Sequence, residues 1–331
     1  MLGYTLQRIL RMDWGAMKRV AQQEAESRRV STGRILADMA WCGLRYGAGY
    51  RDYSLFGFYD LNGSQRKTYI TRGVNNRLIR RLNNREDYPL LADKRRFNRL
   101  FSDLLGREWN DFSAGAQRFA DWCAGRAKIV CKPADGECGR GVQVLQLADF
   151  DSPEQLFAAA VSQGADLAEA FIQQHADLAA LYPGSVNTYR IVTVLQHGQA
   201  QLFYGVLRIG NGGAVDNLNA GGMVAPVELH TGRVLAGGYD KQHRFYERHP
   251  ITGAQITGAI LPFWEQAEQL CCQAAQRLPG LRYVGWDVAA TASGPVLIEG
   301  NHMPGYDVIQ LPPHTPDKIG MLPRIRTLLQ G

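Results

Sequence analysis

Apolar and polar residues alternate at helical spacing over the first 50 residues. Apolar side chains recur every three to four positions, at Leu6, Ile9, Leu10, Ile35, Met39 and Leu44. Such spacing is typical of one face of a helix, so we expect the chain to begin with helices. A less regular segment follows over residues 50–88, with a strand predicted at 67–71. Asp93 is then suited to be the N-cap of a helix that runs to Leu105.

The pattern changes after residue 127 to short apolar runs separated by glycine-rich turns. Strands are predicted at 129–132, 142–147, 168–173, 188–195, 201–209, 283–291 and 295–301, with a further hairpin over 224–236. Helices are predicted at 153–163 and 262–278, the first beginning with a Ser-Pro pair typical of a helix start. Antiparallel strands with interspersed helices favour an α+β fold.

Composition excludes several classes of protein. Of the 331 residues, 45% are hydrophobic and 21% are charged, which is usual for a globular chain and unlike a disordered or fibrous one. The apolar runs are shorter than the ~20 residues of a membrane span, and no signal-peptide apolar block precedes them, so we expect a cytoplasmic protein. The six cysteines lack the spacing of a zinc site or a disulfide framework.

Positive charge is concentrated in the N-terminal third. Residues 1–107 contain 21 Lys and Arg against 10 Asp and Glu, a surplus of 11 that leaves −5 for the rest of a chain whose net charge is +6. This region is a candidate surface for an anion such as a sugar acid, a nucleotide-linked substrate, an RNA or an anionic membrane, and a solvated basic face is the alternative. Because no nucleic-acid-binding signature accompanies the charge, it does not by itself indicate RNA, and we expect no DNA partner.

A lysine followed by a glycine-rich turn gives the first chemical signal. Lys132 ends one predicted strand, Gly136, Gly139 and Gly141 follow, and the next strand begins at once. Glycines allow backbone N–H groups to approach an anion closely, and the lysine adds a fixed positive charge. The order differs from a Walker A loop, in which the lysine follows the glycines. The pattern indicates a phosphate clamp, and a glycine-rich hairpin with a solvated lysine is the alternative.

Three oxygen-bearing residues on two predicted strands give the second signal. Glu299 and Asn301 are two positions apart on one strand and therefore share a face, while the short turn at 292–294 brings Asp287 alongside them. Oxygen ligands without His or Cys suit Mg²⁺. We therefore predict a magnesium site, and polar residues at a sheet edge are the alternative.

The ordered set of motifs resembles the ATP-grasp superfamily, and most closely its sugar-transfer-associated branch, which is related to alpha-L-glutamate ligases. The resemblance spans roughly residues 50–310. The motifs that carry it are Asp93-Lys94 at a helix start, Lys132 with the glycine loop, residues 169–175, residues 185–190, Arg208 followed by Asp216-Asn217 and Gly221-Gly222, Trp286-Asp287, and Glu299-Gly300-Asn301.

The resemblance implies that ATP binds between two α+β subdomains that clamp it. The residues that it places at the nucleotide are Lys94, Lys132, Gly136, Gly139, Gly141, Glu169, Ala170, Phe171, Ile172 and Asp177. The lysines would reach the phosphates, and Glu169 would accept a hydrogen bond from the adenine amino group. Asp177 or His175 would reach the ribose, with helix capping as the alternative for both.

The implied chemistry is transfer of the γ-phosphoryl group to a carboxylate, followed by attack of an amine. The candidate catalytic residues are Arg190, Arg208 and Lys132, since positive charge is needed where oxyanions develop. Cross-strand salt bridges are the alternative for the two arginines. Many ligases of this superfamily have an arginine where this chain has Gly285, and this departure places more weight on Arg190 and Arg208.

These patterns predict three regions: a helical basic region over 1–88 that binds a substrate, a small subdomain over 89–175 with the phosphate loop, and a large subdomain over 176–331 with the metal site. The resemblance implies that the substrates are a small-molecule or sugar-linked carboxylate and an amine, used in cell-surface polysaccharide synthesis. A phosphotransferase with Asp216 or Asp307 as base, and a nucleotide-sensing or RNA-binding protein without catalysis, are the alternatives. Oligomeric state stays open.

Overall fold

Helices dominate the N-terminal part of the chain and strands the remainder, as the apolar spacing predicts. The computed structural model describes residues 13–136 and 140–330. The helices are α1 (Trp14–Arg28), α2 (Thr32–Tyr46), α3 (Tyr50–Leu55), α4 (Gly63–Arg66), α5 (Arg72–Leu82), α6 (Pro89–Ala92), α7 (Lys94–Leu100), α8 (Ala116–Cys123), α9 (Pro153–Ser162), α10 (Ala176–Leu181), α11 (Trp264–Gln276) and α12 (Leu322–Leu328). The strands are β1 (Trp109–Asp111), β2 (Lys128–Lys132), β3 (Gln143–Gln146), β4 (Leu167–Ala170), β5 (Thr188–Gln196), β6 (Gln199–Ile209), β7 (Met223–Val227), β8 (Gly238–Asp240), β9 (Phe245–Tyr246), β10 (Tyr283–Thr291) and β11 (Gly294–Asn301).

Two compact units make up the chain, and the first contains the described residues up to Leu78 together with Tyr306–Arg326. Its helices begin at side-chain caps: Asp13 accepts a hydrogen bond from the Ala16 N–H at 2.8 Å, and Ser31 accepts one from the Arg34 N–H at 3.3 Å. Helix α2 ends at Gly47, whose φ of 67° is the left-handed conformation that glycine adopts without strain. Aromatic side chains fill the core of this unit: Tyr53, Phe56, Phe58 and Tyr69.

The strand predicted at residues 67–71 is wrong, because these residues form turns. The side chain of Gln310 makes the backbone hydrogen bonds that a partner strand would have made. Its Oε1 accepts a hydrogen bond from the Ile70 N–H at 2.8 Å, and its Nε2 donates to the Ile70 carbonyl at 3.0 Å. The helix predicted over residues 93–105 begins at the Asp93 cap as expected but ends at Leu100, where a series of turns follows.

The second unit contains residues 79–305 and the end of the chain. It has a four-stranded sheet in the order β1-β4-β2-β3 and a seven-stranded sheet in the order β11-β10-β5-β6-β7-β8-β9, and every strand pairing is antiparallel. The α+β prediction is therefore confirmed. The turn at His197-Gly198 joins β5 to β6, and both turn residues have positive φ, which matches the twist of the strands.

One face of the seven-stranded sheet carries the main core and the other carries polar side chains. Val284, Trp286 and Val288 alternate along β10 and belong to the core, where α11 packs against β5, β6, β10 and β11. Asp287 lies between Trp286 and Val288 and therefore projects from the opposite face. Within the described residues, no helix has the length and apolar character needed to cross a membrane.

A β-bulge in β11 directs the side chains of Leu297 and Glu299 to opposite faces of the sheet. Asp287 pairs with Glu299, whereas the next residue of β10, Val288, pairs with Leu297, so Ile298 is the extra residue. Residues two apart normally share a face, but the bulge keeps Leu297 in the core and directs Glu299 to the face of Asp287.

The residue after Glu299 must be small. Gly300 pairs with Trp286, and a Cβ atom built on it would lie 2.9 Å from a methyl of Leu91, 2.9 Å from the Trp286 ring and 3.3 Å from the Phe97 ring. These three side chains are buried parts of the core, so they have little freedom to move aside. Gly300 thus allows α6 and α7 to pack closely on β11.

Gly300→Ala should lower the free energy of unfolding by about 1–3 kcal/mol, because a methyl group overpacks this core. Chemical denaturation followed by circular dichroism measures the change. Gly33→Ala is the matched control, since a Cβ at Gly33 in α2 meets no atom within 4 Å. Equal stability of the two variants would contradict the packing that we describe.

Candidate functional site

Asp287 is the centre of a buried ion network on the polar face of the seven-stranded sheet. It pairs across β10 and β5 with Arg190, which donates to Asp287 from Nε and, at 2.8 Å, from Nη2. Arg208 on β6 donates from Nη1 to the same carboxylate at 2.6 Å. Directly paired residues of antiparallel strands project from one face, which is why three strands bring these side chains together.

The network extends from Arg208 to a glycine-rich loop between β6 and β7. Arg208 Nη2 lies 3.0 Å from Asp216 Oδ1, and the other oxygen of Asp216 accepts hydrogen bonds from the N–H of Thr188 at 3.0 Å and from its hydroxyl. Asp216 is buried. The loop is therefore attached to the sheet by this carboxylate, both of whose oxygens have partners on β5 or β6.

Glu299 and Asp287 are neighbouring carboxylates with opposite electrostatic behaviour. Burial alone would raise the pKa of Asp287, but Arg190 and Arg208 hold it well below its usual range. Burial and then the Asp287 charge raise the pKa of Glu299 to about 7. Glu299 is therefore a buried carboxylate beside a charged one, and a divalent cation bound there would favour its ionised form.

The three predicted metal ligands lie on one face of β10 and β11. Asp287 pairs with Glu299, and Asn301 pairs with Gly285 two residues before Asp287. The side-chain oxygen of Asn301 accepts a hydrogen bond from the Met303 N–H at 3.0 Å, which orients it. In the described part of the chain, no group of three or more His, Cys, Asp and Glu side chains is placed to hold a metal, so an oxygen set completed by an amide is the donor set available.

The side chain of Arg190 leaves little room for a side chain at Gly285. A Cβ atom at Gly285 would lie 3.3 Å from Cδ of Arg190 and 3.2 Å from Cβ of Pro304. The aliphatic part of Arg190 thus occupies the space beside the glycine. The cross-strand salt bridges that were the alternative for Arg190 and Arg208 are present. The catalytic role of the two arginines stays a prediction.

The phosphate loop joins β2 to β3, as predicted. Pro133 follows Lys132, and a Cβ built on Gly136 would lie 2.8 Å from the Pro133 ring and 2.9 Å from the Arg140 carbonyl. Gly141 has a φ of 71° and also contacts this ring. Both glycines are therefore required by the turn itself. Gly139, predicted to bind the nucleotide, lies outside the described residues.

Lys94 connects the start of α7 to the phosphate loop. Its backbone N–H donates to the Ala134 carbonyl at 2.9 Å, and its ammonium donates to the Gly136 carbonyl. Burial lowers the pKa of Lys94, while the nearby Glu299 carboxylate opposes this and the Lys132 charge adds to it. The two predicted phosphate lysines and a predicted metal ligand are thus close enough to interact.

Glu169 is surrounded by cations on the four-stranded sheet. Its two oxygens accept hydrogen bonds from Lys132 Nζ at 2.6 Å, Arg107 Nη2 at 2.9 Å and Nε at 3.1 Å, and Asn98 Nδ2 at 3.1 Å. Burial opposes ionisation, but Arg107 and Lys132 hold the pKa of Glu169 well below its usual range. The adenine contact implied for Glu169 stays a prediction, and the structure adds a second role as the ion partner of Lys132.

Sequence reasoning missed Arg107 and Asn98. Asn98 is fully buried on α7 next to the core residue Phe97, and a polar residue at such a position is the signal that could have indicated it. Arg107 precedes β1 in an irregular segment, where no spacing marks it.

Ala170, Phe171 and Ile172, which are predicted to lie at the nucleotide, are at the end of β4 and directly after it. Ala170 ends the strand and donates its N–H to the Glu108 carbonyl at 2.9 Å. The Phe171 ring lies 3.6 Å below Lys128 Nζ, and Ile172 is half-buried. His175 caps α10 by accepting a hydrogen bond from the Asp177 N–H at 3.2 Å, so the helix-capping alternative holds for His175. The ribose contact of Asp177 stays a prediction.

Comparison with protein families matches residues 73–326 to the family described as sugar-transfer associated ATP-grasp. Similar solved structures include the ATP-grasp ligase PsnB with precursor peptide PsnA2 and AMPPNP (14% identity, 75% of this chain and 62% of that chain covered, TM-score 0.40). Others are D-alanine-D-alanine ligase from Helicobacter pylori (14% identity, 65% and 52% covered, TM-score 0.37) and biotin carboxylase from Campylobacter jejuni (13%, 64% and 40%, TM-score 0.41). The chain spans about three fifths of the length of the PsnB structures. No curated protein matches the sequence.

Asp287→Ala should lower the free energy of unfolding by about 3–5 kcal/mol, because it leaves two buried arginines without their shared carboxylate. Chemical denaturation measures this loss. Asp103→Ala is the control: it breaks the Arg277 ion pair at 2.6 Å, but Asp103 is 63% exposed, so stability should scarcely change. A similar small effect for Asp287→Ala would show that the network does not support the sheet.

Proposed function

Because the chain belongs to the sugar-transfer associated ATP-grasp family, we propose that it is an ATP- and Mg²⁺-dependent ligase that joins a carboxylate to an amine. The resemblance drawn from the sequence motifs is thereby confirmed at the level of the family. The observation that carries the proposal is the placement of Asp287 and Glu299 in register on adjacent strands, with Lys94 close enough to Glu299 for their charges to interact.

The residues present fit a magnesium ion. Asp287, Glu299 and Asn301 supply oxygen donors from one face of β10 and β11, and a bound cation would favour the ionised form of Glu299. When bound here, Mg²⁺ would neutralise charge on the phosphate oxygens of ATP. The remaining contacts to the triphosphate would come from Lys94, from Lys132 and from backbone N–H groups of the glycine loop.

The buried arginines are the groups suited to stabilise the transferring phosphoryl group. Arg190 and Arg208 remain ionised, since burial is outweighed by the Asp287 charge, which raises the pKa of both. Their planar guanidinium groups bind phosphate or carboxylate oxygens through parallel hydrogen bonds. Because Asp287 fixes both side chains before substrate binds, little reorganisation is needed when negative charge develops.

The proposed reaction has two steps and requires no protein nucleophile. An oxygen of the substrate carboxylate attacks the γ-phosphorus of ATP, the bond to the β-phosphate oxygen breaks, and ADP leaves. The neutral amine then attacks the acyl carbon, phosphate leaves with the electron pair of the carbon–oxygen bond, and the nitrogen gives up one proton to the departing phosphate as the amide forms. A sugar-linked carboxylate or an amino acid used in cell-surface polysaccharide synthesis is the substrate that the family association favours.

The contacts of Asp216 argue against it as the base of a phosphotransferase. A phosphotransferase needs a base to take the proton of its hydroxyl acceptor. Asp216, one of the two carboxylates considered for that role, is buried and held by Thr188 and Arg208. A carboxylate acceptor needs no such base, because it is already ionised at neutral pH.

We expect the purified chain to convert ATP to ADP in the presence of Mg²⁺, pooled carboxylates and hydroxylamine, and to form a hydroxamate. Glu299→Gln should reduce both products to background, because it removes a charged metal ligand. Glu265→Gln, at an exposed position on α11, is the matched control and should retain full activity. Chromatography that resolves ADP from AMP, with a colorimetric hydroxamate assay, measures both products. AMP as the product, or ADP without hydroxamate but with a phosphorylated alcohol, would contradict ligase chemistry.

A further inference from the structure

Arg107 crosses from the four-stranded sheet to the edge of the seven-stranded sheet. Its side chain is only 3% exposed. On one side, Nε and Nη2 donate to the two oxygens of Glu169 on β4. On the other side, Nη1 donates to the Leu297 carbonyl and Nη2 to the Ile298 carbonyl at 3.1 Å. A single buried guanidinium therefore connects both sheets of the second unit.

The contact with β11 falls on the bulge that directs Glu299. Ile298 is the extra residue of this bulge, and Leu297 is the residue before it. β11 is the outermost strand of its sheet, so it has a neighbouring strand on one side only. Carbonyl groups at such an edge need another donor. By binding the carbonyls of Leu297 and Ile298, Arg107 stabilises the local geometry that places Glu299 beside Asp287.

The contact with β4 determines the environment of Lys132. Glu169 is 3% exposed, and its charge is balanced by Arg107 and Lys132 together. Lys132 is 13% exposed, so it reaches the surface of the unit beside the phosphate loop. If Arg107 were absent, Lys132 would be the remaining cation at a buried carboxylate and would be held more strongly by it. The ammonium would then be less available to a phosphate.

We infer that Arg107 is a positioning residue for nucleotide binding, which sets Lys132 through Glu169 and Glu299 through the bulge in β11. The inference rests on the proposed function, since it assumes that the triphosphate binds between Lys132 and Glu299. Arg107 itself does not contact the reacting atoms. Its effect is to hold one phosphate ligand and one metal ligand, carried by different sheets, in a fixed relation.

A double-mutant cycle tests the inference. Dissociation constants for Mg²⁺ with a fluorescent ADP analogue are measured for the parent, Arg107→Gln, Lys132→Gln and the double variant. Arg107→Gln should weaken binding roughly 10- to 100-fold, as expected for a residue that orients direct ligands. The further loss caused by Lys132→Gln should be several-fold smaller in the Arg107→Gln background than in the parent, because Glu169 already holds the Lys132 ammonium away from the phosphate there.

Two controls separate positioning from a structural effect. Arg126→Gln removes another arginine ion pair, to Glu108, which is 71% exposed, and should leave nucleotide affinity unchanged. Thermal denaturation shows whether each variant is folded at the temperature of the binding assay. If Arg107→Gln does not fold, Arg107→Lys replaces it, since lysine keeps the charge but cannot donate to both sheets through a fixed fork.

The outcomes are distinguishable. Unchanged affinity in a folded Arg107 variant, or fully additive losses in the cycle, would overturn the inference and leave the proposed function standing. Failure of the parent chain to bind the Mg²⁺-nucleotide would overturn the proposed function and the inference with it. Weaker binding with a non-additive cycle would support the role of Arg107.

Discussion

The arrangement of the candidate site depends on one buried carboxylate, Asp287, which is held by arginines from two neighbouring strands. A charge in this position is stable only if its partners have correct geometry, so β5, β6 and β10 are restricted to one register. Arg190 and Arg208 keep Asp287 ionised, and burial together with the Asp287 charge raises the pKa of the neighbouring Glu299. The same interaction therefore aligns the sheet and creates the electrostatic environment that suits a divalent cation.

The four-stranded sheet also contains a buried carboxylate that is held by two cations. Glu169 is a buried carboxylate with two cationic partners, Arg107 and Lys132, as Asp287 has Arg190 and Arg208. In both sheets, long-range ion pairs fix a side chain that the proposed reaction requires. Arg107 joins the two arrangements, because it also binds the carbonyls at the bulge in β11. Substrate charges would thus meet groups that are already oriented, which is the condition for strong electrostatic stabilisation.

Local patterns in the sequence predicted most strands, the Asp93 cap, and the shared face of Asp287, Glu299 and Asn301, because side-chain alternation is a property of neighbouring residues. The failures involve distant partners. Residues 67–71, which were expected to form a strand, form turns instead. The side chain of Gln310, 240 residues away from Ile70, supplies the hydrogen bond that a neighbouring strand would make. Arg107 was missed because its partners are 62 and 190 residues away, and the spacing of residues along the sequence does not indicate contacts between such distant positions. The bulge at Ile298 likewise depends on packing that the alternating pattern does not show.

The central claim is that Asp287, Glu299 and Asn301 hold the metal of a nucleotide that Lys132 also binds. A crystal structure of the chain grown with Mn²⁺ and a non-hydrolysable ATP analogue tests it directly, since the anomalous signal of Mn²⁺ locates the ion independently of the protein density. We predict that the strongest anomalous peak lies against the carboxylates of Asp287 and Glu299, with the triphosphate reaching Lys132. A peak away from β10 and β11, or a nucleotide bound elsewhere on the chain, would contradict this account.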